Sequence, residues 1–221
     1  YAMIFPVKNI GVFFMEDDVK YSPIEEFANA FSHAIGTLLA IYGLVFLVVT
    51  SSTPSETAST AIYGATLVIL FQSSTLYHAM VNETAKKVFR KIDHSAIFLL
   101  IAGTYTPILL LVVPFPHSVA LLAMTWYLAI MGIVFSCITL KFKYINTALY
   151  LVMGWLSLFL MFRMWAYNPV SVYYLLGGGL LFSLGCVFYL LKKVPFMHSI
   201  WHLFVLGGAI LHYMAVMALL R

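Results

Sequence analysis

The sequence predicts an all-α integral membrane protein, a seven-transmembrane-helix bundle with its N-terminus in the cytoplasm and its C-terminus outside. Of its 221 residues, 63% are hydrophobic and only 9% are charged, and the mean hydropathy is +0.98. A typical soluble domain carries about 25% charged residues. So few charges cannot cover a soluble globule of this size, which excludes a soluble enzyme and a disordered chain. Two cysteines also exclude a disulfide scaffold.

The transmembrane spans follow from the stretches without Asp, Glu, Lys or Arg. These stretches are 27–55, 57–82, 94–140, 144–162, 164–191 and 194–220. A helix needs about 20 mostly apolar residues to cross a bilayer, so each stretch can hold a span. The longest stretch holds two, because Pro114-Phe115-Pro116 interrupts it. The predicted spans are 30–50, 59–80, 93–113, 118–140, 145–164, 170–191 and 198–220. All are helical, because every backbone polar group must be satisfied within lipid.

The lysines and arginines between the spans predict the orientation, because cytoplasmic loops are enriched in these residues. Ten of the twelve would lie on the same side as the N-terminus, and only Arg163 and Arg221 on the other. Residues 1–24 are therefore expected to be a cytoplasmic segment, and residues 25–221 the transmembrane domain. The positive charges lie between apolar runs and form no basic face, so no nucleic-acid partner is expected.

Polar side chains inside a membrane are costly, which makes them candidate functional residues. Four groups of them lie at the ends of predicted spans, within residues 25–36, 73–78, 93–94 and 198–202. In a bundle of seven alternating spans, the starts of spans 1, 3 and 7 and the end of span 2 all lie at the cytoplasmic face. The sequence therefore predicts that the four groups share one depth in the membrane.

Three histidines in these groups are candidate metal ligands. His198 and His202 are four residues apart, so a helix presents both imidazoles on one face, a spacing common in zinc sites. The pair alone is equally compatible with two buried, hydrogen-bonded histidines. His78, expected at the same depth, would supply a third nitrogen. Three protein ligands with one open position are typical of catalytic zinc.

Asp93 and Ser74 are candidate catalytic residues beside such a metal. Asp93 could accept a hydrogen bond from a water on the zinc and act as its base, or it could be the N-cap of span 3. Ser74 lies one turn before His78, and it could bind a substrate oxygen, support a ligand or pack against a neighbouring helix. No Glu lies between His198 and His202, so the HExxH motif of zinc proteases is absent and the base must come from elsewhere.

Five motifs in this order resemble the bacterial haemolysin III family, which belongs with the progestin and adipoQ receptors and is similar to the alkaline ceramidases. They are Glu-x-x-Asn-x-x-Ser-His at 26–33, Ser-x-x-x-His at 74–78, Asp93 in Lys-Ile-Asp-His-Ser-Ala-Ile-Phe, Ile-Ala-Gly-Thr-Tyr-Thr-Pro at 101–107 and His-x-x-x-His at 198–202. The resemblance implies a multi-pass protein of the bacterial inner membrane that binds zinc through His78, His198 and His202. It places Asp93 at the zinc water with Ser74 beside it.

Three functions stay open from the sequence. The resemblance implies zinc-dependent amide hydrolysis on a lipid, and a site among helices at the cytoplasmic leaflet suits a membrane lipid amide or ester as substrate. The alternatives are a pore-forming, haemolytic protein, and a lipid-sensing receptor or regulator of membrane state with structural zinc. A pore would need polar residues along several helices, whereas spans 4 and 5 hold almost no ionisable groups. This pattern favours a site at one end of the bundle. The oligomeric state is not predicted.

Overall fold

The computed structural model describes residues 20–138, 140–191 and 194–220, and within this part of the chain all regular structure is helical. Its seven helices are α1 (Pro23–Thr50), α2 (Pro54–Ala79), α3 (Glu83–Val112), α4 (His117–Ile138), α5 (Lys143–Tyr167), α6 (Pro169–Leu190) and α7 (Met197–Met217). Most of the predicted N-terminal segment, residues 1–19, lies outside the described residues. So do Lys8, Lys192, Lys193 and Arg221, which contributed to the predicted orientation.

Local sequence signals explain where several helices begin and end. Ser22 and Glu25 form a capping box at the start of α1, in which the Ser22 N–H donates to the Glu25 carboxylate (3.0 Å). Prolines open α1, α2 and α6, where their missing N–H costs no helical hydrogen bond. The predicted break at Pro114-Phe115-Pro116 is confirmed, because α3 ends at Val112 and α4 begins at His117.

Helix α3 begins at Glu83, ten residues before the predicted span. The Asn82 side chain accepts the backbone N–H of Ala85 (3.0 Å) and is the N-cap. The N-cap interpretation of Asp93 is therefore wrong, because Asp93 lies about three turns inside the helix. The reason for the difference is that hydropathy marks only the apolar part of a helix. The segment 86–91, which carries four positive charges, extends α3 beyond its apolar part.

Six of the described helices are long and apolar enough to cross a membrane, namely α1, α3, α4, α5, α6 and α7. Helix α2 has 26 residues, but none of its membrane-length stretches is as apolar as the most apolar stretch of each of the other six. It packs against both α1 and α3, and many of its buried side chains are polar. A helix that is covered by its neighbours exposes little surface to lipid, which explains how it tolerates this composition.

Glycines bring α2 close to both neighbours. A Cβ at Gly103 of α3 would collide with the Thr66 side chain of α2. A Cβ at Gly64 of α2 would lie 2.6 Å from Cδ1 of Leu44 on α1. Small residues allow this close approach in membrane helix pairs, where van der Waals packing drives association. The packing fixes the position of α2 between α1 and α3, and with it the position of His78.

Helix α5 is interrupted beside a large cavity. Leu156–Leu160 form 3₁₀ turns between the α-helical segments Lys143–Trp155 and Met161–Tyr167. A cavity of about 900 Å³ adjoins this interruption, and its lining comes mainly from α3, α5, α6 and α7. Gly154 lines the cavity, and a Cβ at this position would meet no atom within 4 Å.

One end of the bundle carries most of the described basic residues. It comprises the starts of α1, α3, α5 and α7 and the ends of α2, α4 and α6. Contacts across this end include Lys91 Nζ to the Cys137 carbonyl oxygen (2.7 Å) and His78 Nδ1 to Glu26 Oε2 (2.7 Å). The basic residues at this end include Lys86, Lys87, Arg90, Lys91, Lys141 and Lys143, whereas Arg163 lies near the other end.

We expect this basic end to face the cytoplasm, because lysine and arginine are retained on that side during insertion. A periplasmic reporter such as alkaline phosphatase should be active when fused after residue 221, and inactive when fused between α6 and α7. The second fusion is the negative control, and immunodetection of both fusions checks that they are expressed. A cytoplasmic reading at residue 221 would contradict the orientation.

Candidate metal centre

Three histidines from distant parts of the chain meet at the basic end of the bundle. His78 lies in the last turn of α2, and His198 and His202 lie in the first two turns of α7. All three are buried, with 3%, 7% and 2% of their surface exposed. One nitrogen from each ring lies within 4.8 Å of the other two, and the Nε2 atoms of His78 and His198 are 3.3 Å apart. Three imidazole nitrogens in this arrangement could hold a metal ion.

An unusual backbone conformation sets the start of α7. Phe196 has a φ of 62°, in the left-handed region that non-glycine residues rarely adopt. Its N–H donates a hydrogen bond to Oε1 of Glu25 (2.9 Å). Glu25 therefore joins the first turn of α1 to the residue before α7, and this contact fixes where His198 and His202 emerge.

The second ring nitrogens of two histidines have hydrogen-bond acceptors on α1. Nδ1 of His78 lies 2.7 Å from Oε2 of Glu26. Nδ1 of His202 lies 3.1 Å from the backbone oxygen of Asn29 and 3.2 Å from the hydroxyl of Ser32. Since the carboxylate and the carbonyl can only accept, each Nδ1 carries the proton in the neutral ring. Nε2 is then the nitrogen with a lone pair for a metal.

Asp93 and Ser74 lie beside the histidines. A cavity of about 490 Å³ is lined by both residues together with His198 and His202. The Ser74 hydroxyl lies close to the Asp93 carboxylate. Ser74 is almost fully buried, and the Asp93 side chain is 16% exposed. The structure thus brings the five predicted site residues into one region. The Asp93 carboxylate, however, does not join the three nitrogens in the described cluster of mutually close ligand atoms.

The contacts made by the first turns of α1 were not predicted from the sequence. Glu26, Asn29 and Ser32 all contact residues of the histidine helices. The signal was present, since these residues belong to the polar group at the start of span 1. Their spacing could not show which neighbouring helix they face. Tyr21 was also missed, and its ring stacks on His198 with ring centroids 5.0 Å apart.

The comparisons with known proteins assign a family. The haemolysin-III related family matches residues 21–213, which is most of the chain. The chain belongs to the haemolysin III family. The resemblance carried by the five motifs is thereby confirmed, and the protein is a multi-pass membrane protein of this family.

The relatives include bacterial and animal members. Hemolysin-3 homolog of Bacillus subtilis is 42% identical over 198 residues, covering 87% of this chain and 93% of the relative. Hemolysin-3 of Bacillus cereus is 41% identical over 200 residues, covering 87% and 90%. The human Monocyte to macrophage differentiation factor is 32% identical over 206 residues, covering 89% and 86%.

The side chains of this haemolysin III family member fit a metal that prefers nitrogen ligands. Imidazole binds zinc, copper, iron and nickel well, whereas calcium and magnesium prefer oxygen. In metal sites the second nitrogen of a ligating histidine usually donates to a carboxylate or a backbone carbonyl. His78 and His202 have these two partners, Glu26 and the Asn29 carbonyl. The donor set and its supporting contacts are therefore suited to a transition-metal ion.

Proposed function

We propose that this protein is a zinc-dependent hydrolase of a lipid amide or ester, with its active site at the cytoplasmic end of the bundle. The observation that carries the proposal is that two cavities lie side by side. The cavity at the histidines and the larger cavity beside α5 share the lining residues Leu70, Ile97, Tyr150, Trp201 and Val205. A lipid could therefore place its polar group at the histidines and its hydrocarbon chain in the larger cavity.

The size and chemistry of the larger cavity support a lipid chain as its occupant. Its empty space of about 900 Å³, part of which is open to the outside, exceeds the 490 Å³ of the cavity at the histidines. Its lining is mainly aliphatic and aromatic. Polar groups in the lining are engaged elsewhere, since the Tyr105 hydroxyl donates to the Met153 carbonyl (2.9 Å) and the Trp155 N–H to the Ser183 hydroxyl (3.0 Å). Such a surface suits a hydrocarbon better than an ion, which argues against the pore alternative.

Zinc is the proposed metal because three protein ligands with an open position are typical of catalytic zinc sites. Bound zinc would polarise the acyl carbonyl and make a water molecule acidic enough to lose a proton near neutral pH. His78, His198 and His202 would hold it through the nitrogens that face one another.

Asp93 is the proposed general base, and Ser74 holds it in place. A hydrogen bond from the nearby Ser74 hydroxyl to the Asp93 carboxylate would limit the rotation of that carboxylate at the edge of the histidine cavity. From there Asp93 would take a proton from the attacking water and return it to the leaving amine or alcohol. This assignment makes Ser74 a support for the base, a role that differs from the three considered from the sequence.

We also propose that α2 crosses the membrane as a seventh span. Helix α1 ends at the opposite end of the bundle from the histidines, and α3 begins at the histidine end. The chain between them must return across the bundle, and α2 is the helix that does so. Its 26 residues extend about 39 Å, which is enough to cross the hydrocarbon core.

Metal analysis combined with a lipid screen tests the proposed function. The purified protein should contain one zinc per chain and release fatty acid from a lipid amide or ester, and a strong chelator should stop the release. Zinc without release from any lipid amide or ester would favour the receptor or regulator alternative. Protein that binds no zinc after incubation with excess Zn²⁺ would contradict the metal centre itself.

A bulky side chain in the larger cavity should block long-chain lipids. Gly154 lines the cavity and an added Cβ there meets no atom within 4 Å, so we expect the Gly154→Leu side chain to occupy part of the cavity. We expect binding or turnover of long-chain lipids to fall about tenfold or more, with unchanged zinc affinity. Gly154→Ala is the matched control, because one added carbon leaves most of the cavity open. Equal activity of the Leu variant and the wild type on long chains would show that the chain binds elsewhere.

A further inference from the structure

We propose that the first turns of α1 position the metal centre, and that Glu26, held by Lys86, orients His78 for the metal. The inference rests on the proposed metal site and assigns a role to residues that are not ligands. Helix α1 contributes none of the three histidines, yet it contacts two of them.

Both oxygens of the Glu26 carboxylate are engaged. Oε2 lies 2.7 Å from Nδ1 of His78, and Oε1 lies 2.8 Å from Nζ of Lys86. The His78 side chain is fully buried, whereas those of Glu26 and Lys86 are 19% and 26% exposed. A partly exposed ion pair contributes little to stability. The contribution of this pair is instead geometric, because it fixes the acceptor that His78 faces.

Lys86 also links Glu26 to the end of the helix that carries His78. Its ammonium donates to the Met80 carbonyl (3.3 Å) and lies 5.3 Å from the centre of the Tyr77 ring. Met80 is the C-cap of α2. Lys86 therefore contacts both the end of the helix that carries His78 and the carboxylate that faces the His78 ring. These two contacts restrain the backbone and the ring of His78 together.

The same face of α1 supports the histidines of α7. Asn29 lies one turn after Glu26, so both residues face the same side of the helix. The backbone oxygen of Asn29 lies 3.1 Å from Nδ1 of His202, and its side-chain oxygen accepts a hydrogen bond from Ser199 (2.6 Å). Helix α1 thus sets α2 and α7 relative to each other. Asn29 contacts His202 through its backbone, which a substitution leaves in place. Glu26 contacts His78 through its side chain, so a substitution at Glu26 can remove that contact.

Removal of such a partner typically lowers metal affinity by about 10- to 100-fold. The test uses the full-length protein in detergent, stripped of metal and titrated with Zn²⁺ against a competing chelator. Glu26→Met keeps the side-chain length but removes both acceptors, so we expect a loss in this range. Glu26→Gln keeps an acceptor for the Nδ1 proton and should bind more tightly than Glu26→Met. Lys86→Met should also weaken binding.

Two exposed residues on α3 provide matched controls. Lys87→Met removes a neighbouring charge and Glu83→Gln a neighbouring carboxylate, and neither should change zinc affinity. Co²⁺ binding provides a second measurement, because a reoriented His78 would change the visible spectrum of the cobalt-loaded Glu26→Met protein. The melting temperature of the metal-free variants separates positioning from folding. Positioning predicts weaker metal binding with wild-type stability of the metal-free protein.

The outcomes distinguish this inference from the proposed function. Wild-type protein that binds no Zn²⁺ would contradict the metal centre. A wild type that binds Zn²⁺, with Glu26→Met and Lys86→Met binding as tightly, would overturn the positioning role and leave the centre intact. Weaker binding that is matched by lower stability of the metal-free variants would also overturn it, in favour of a purely structural role.

Discussion

Replacing His202 with alanine should reduce the zinc content of the purified protein from one per chain to almost none. The substitution leaves two of the three histidine ligands, which is fewer than the three protein ligands that catalytic zinc sites use. It also removes the ring whose Nδ1 faces the Asn29 carbonyl. The neighbouring His33 ring stacks on His202 and does not belong to the described cluster of three close nitrogens. Elemental analysis after size-exclusion chromatography measures the effect directly.

His212→Ala is the matched control for this experiment. His212 is a partly buried histidine of α7, and its Nε2 donates to the Leu175 carbonyl (3.2 Å). It lies ten residues after His202, about 15 Å along the helix, which is too far to share the metal. The control should therefore keep its zinc. A His202→Ala protein with the zinc content of the wild type would show that the three-histidine assignment is wrong.

Asp93→Asn should lower lipid hydrolysis by about 100- to 10,000-fold, the range expected when a general base is lost. Asparagine has the same size and can still contact Ser74, but it cannot take a proton from water. Zinc content and melting temperature should stay at wild-type values, because Asp93 does not belong to the cluster of close metal-ligand atoms. Fatty-acid release measures the expected loss of activity of this variant. Zinc analysis and thermal unfolding check that its zinc content and melting temperature are unchanged.

Other results would assign Asp93 differently. Loss of zinc in a folded Asp93→Asn protein would make Asp93 a metal ligand. Full activity would eliminate it as the base. Ser74→Ala is the companion variant, and its activity should fall less than that of Asp93→Asn, because the carboxylate remains and only its orientation is lost.

The helices could be predicted from the sequence because lipid excludes charge. The stretches without charges matched the apolar part of each helix, and the two prolines around Phe115 marked the turn between α3 and α4. The start of α3 could not be predicted in this way. The helix begins among charged and polar residues, where hydropathy does not mark a helix start. Its first residue is set instead by the side chain of Asn82, which caps the helix.

The candidate site was only partly predictable for a different reason. The end of α2 and the start of α7 fall at one depth in any bundle of alternating spans, so the approach of His78 to His198 and His202 could be predicted. The role of α1 depends on how each helix is rotated about its axis. Glu26 meets His78 between α1 and α2, which pack closely at Gly64, and Asn29 meets Ser199 between α1 and α7. No pattern along a single helix contains that information.

The distance between the ligands along the chain determines when the centre can form during biosynthesis. His78 and His198 are 120 residues apart, so the ribosome must complete four intervening helices and begin α7 before both are present. A metal bound there would act as a cross-link between α2 and α7 and would close a long loop, which lowers the entropy of the unfolded chain. Metal uptake would then be a late step of assembly in the membrane. A chain whose synthesis stops before α7 would lack both the metal and the cross-link.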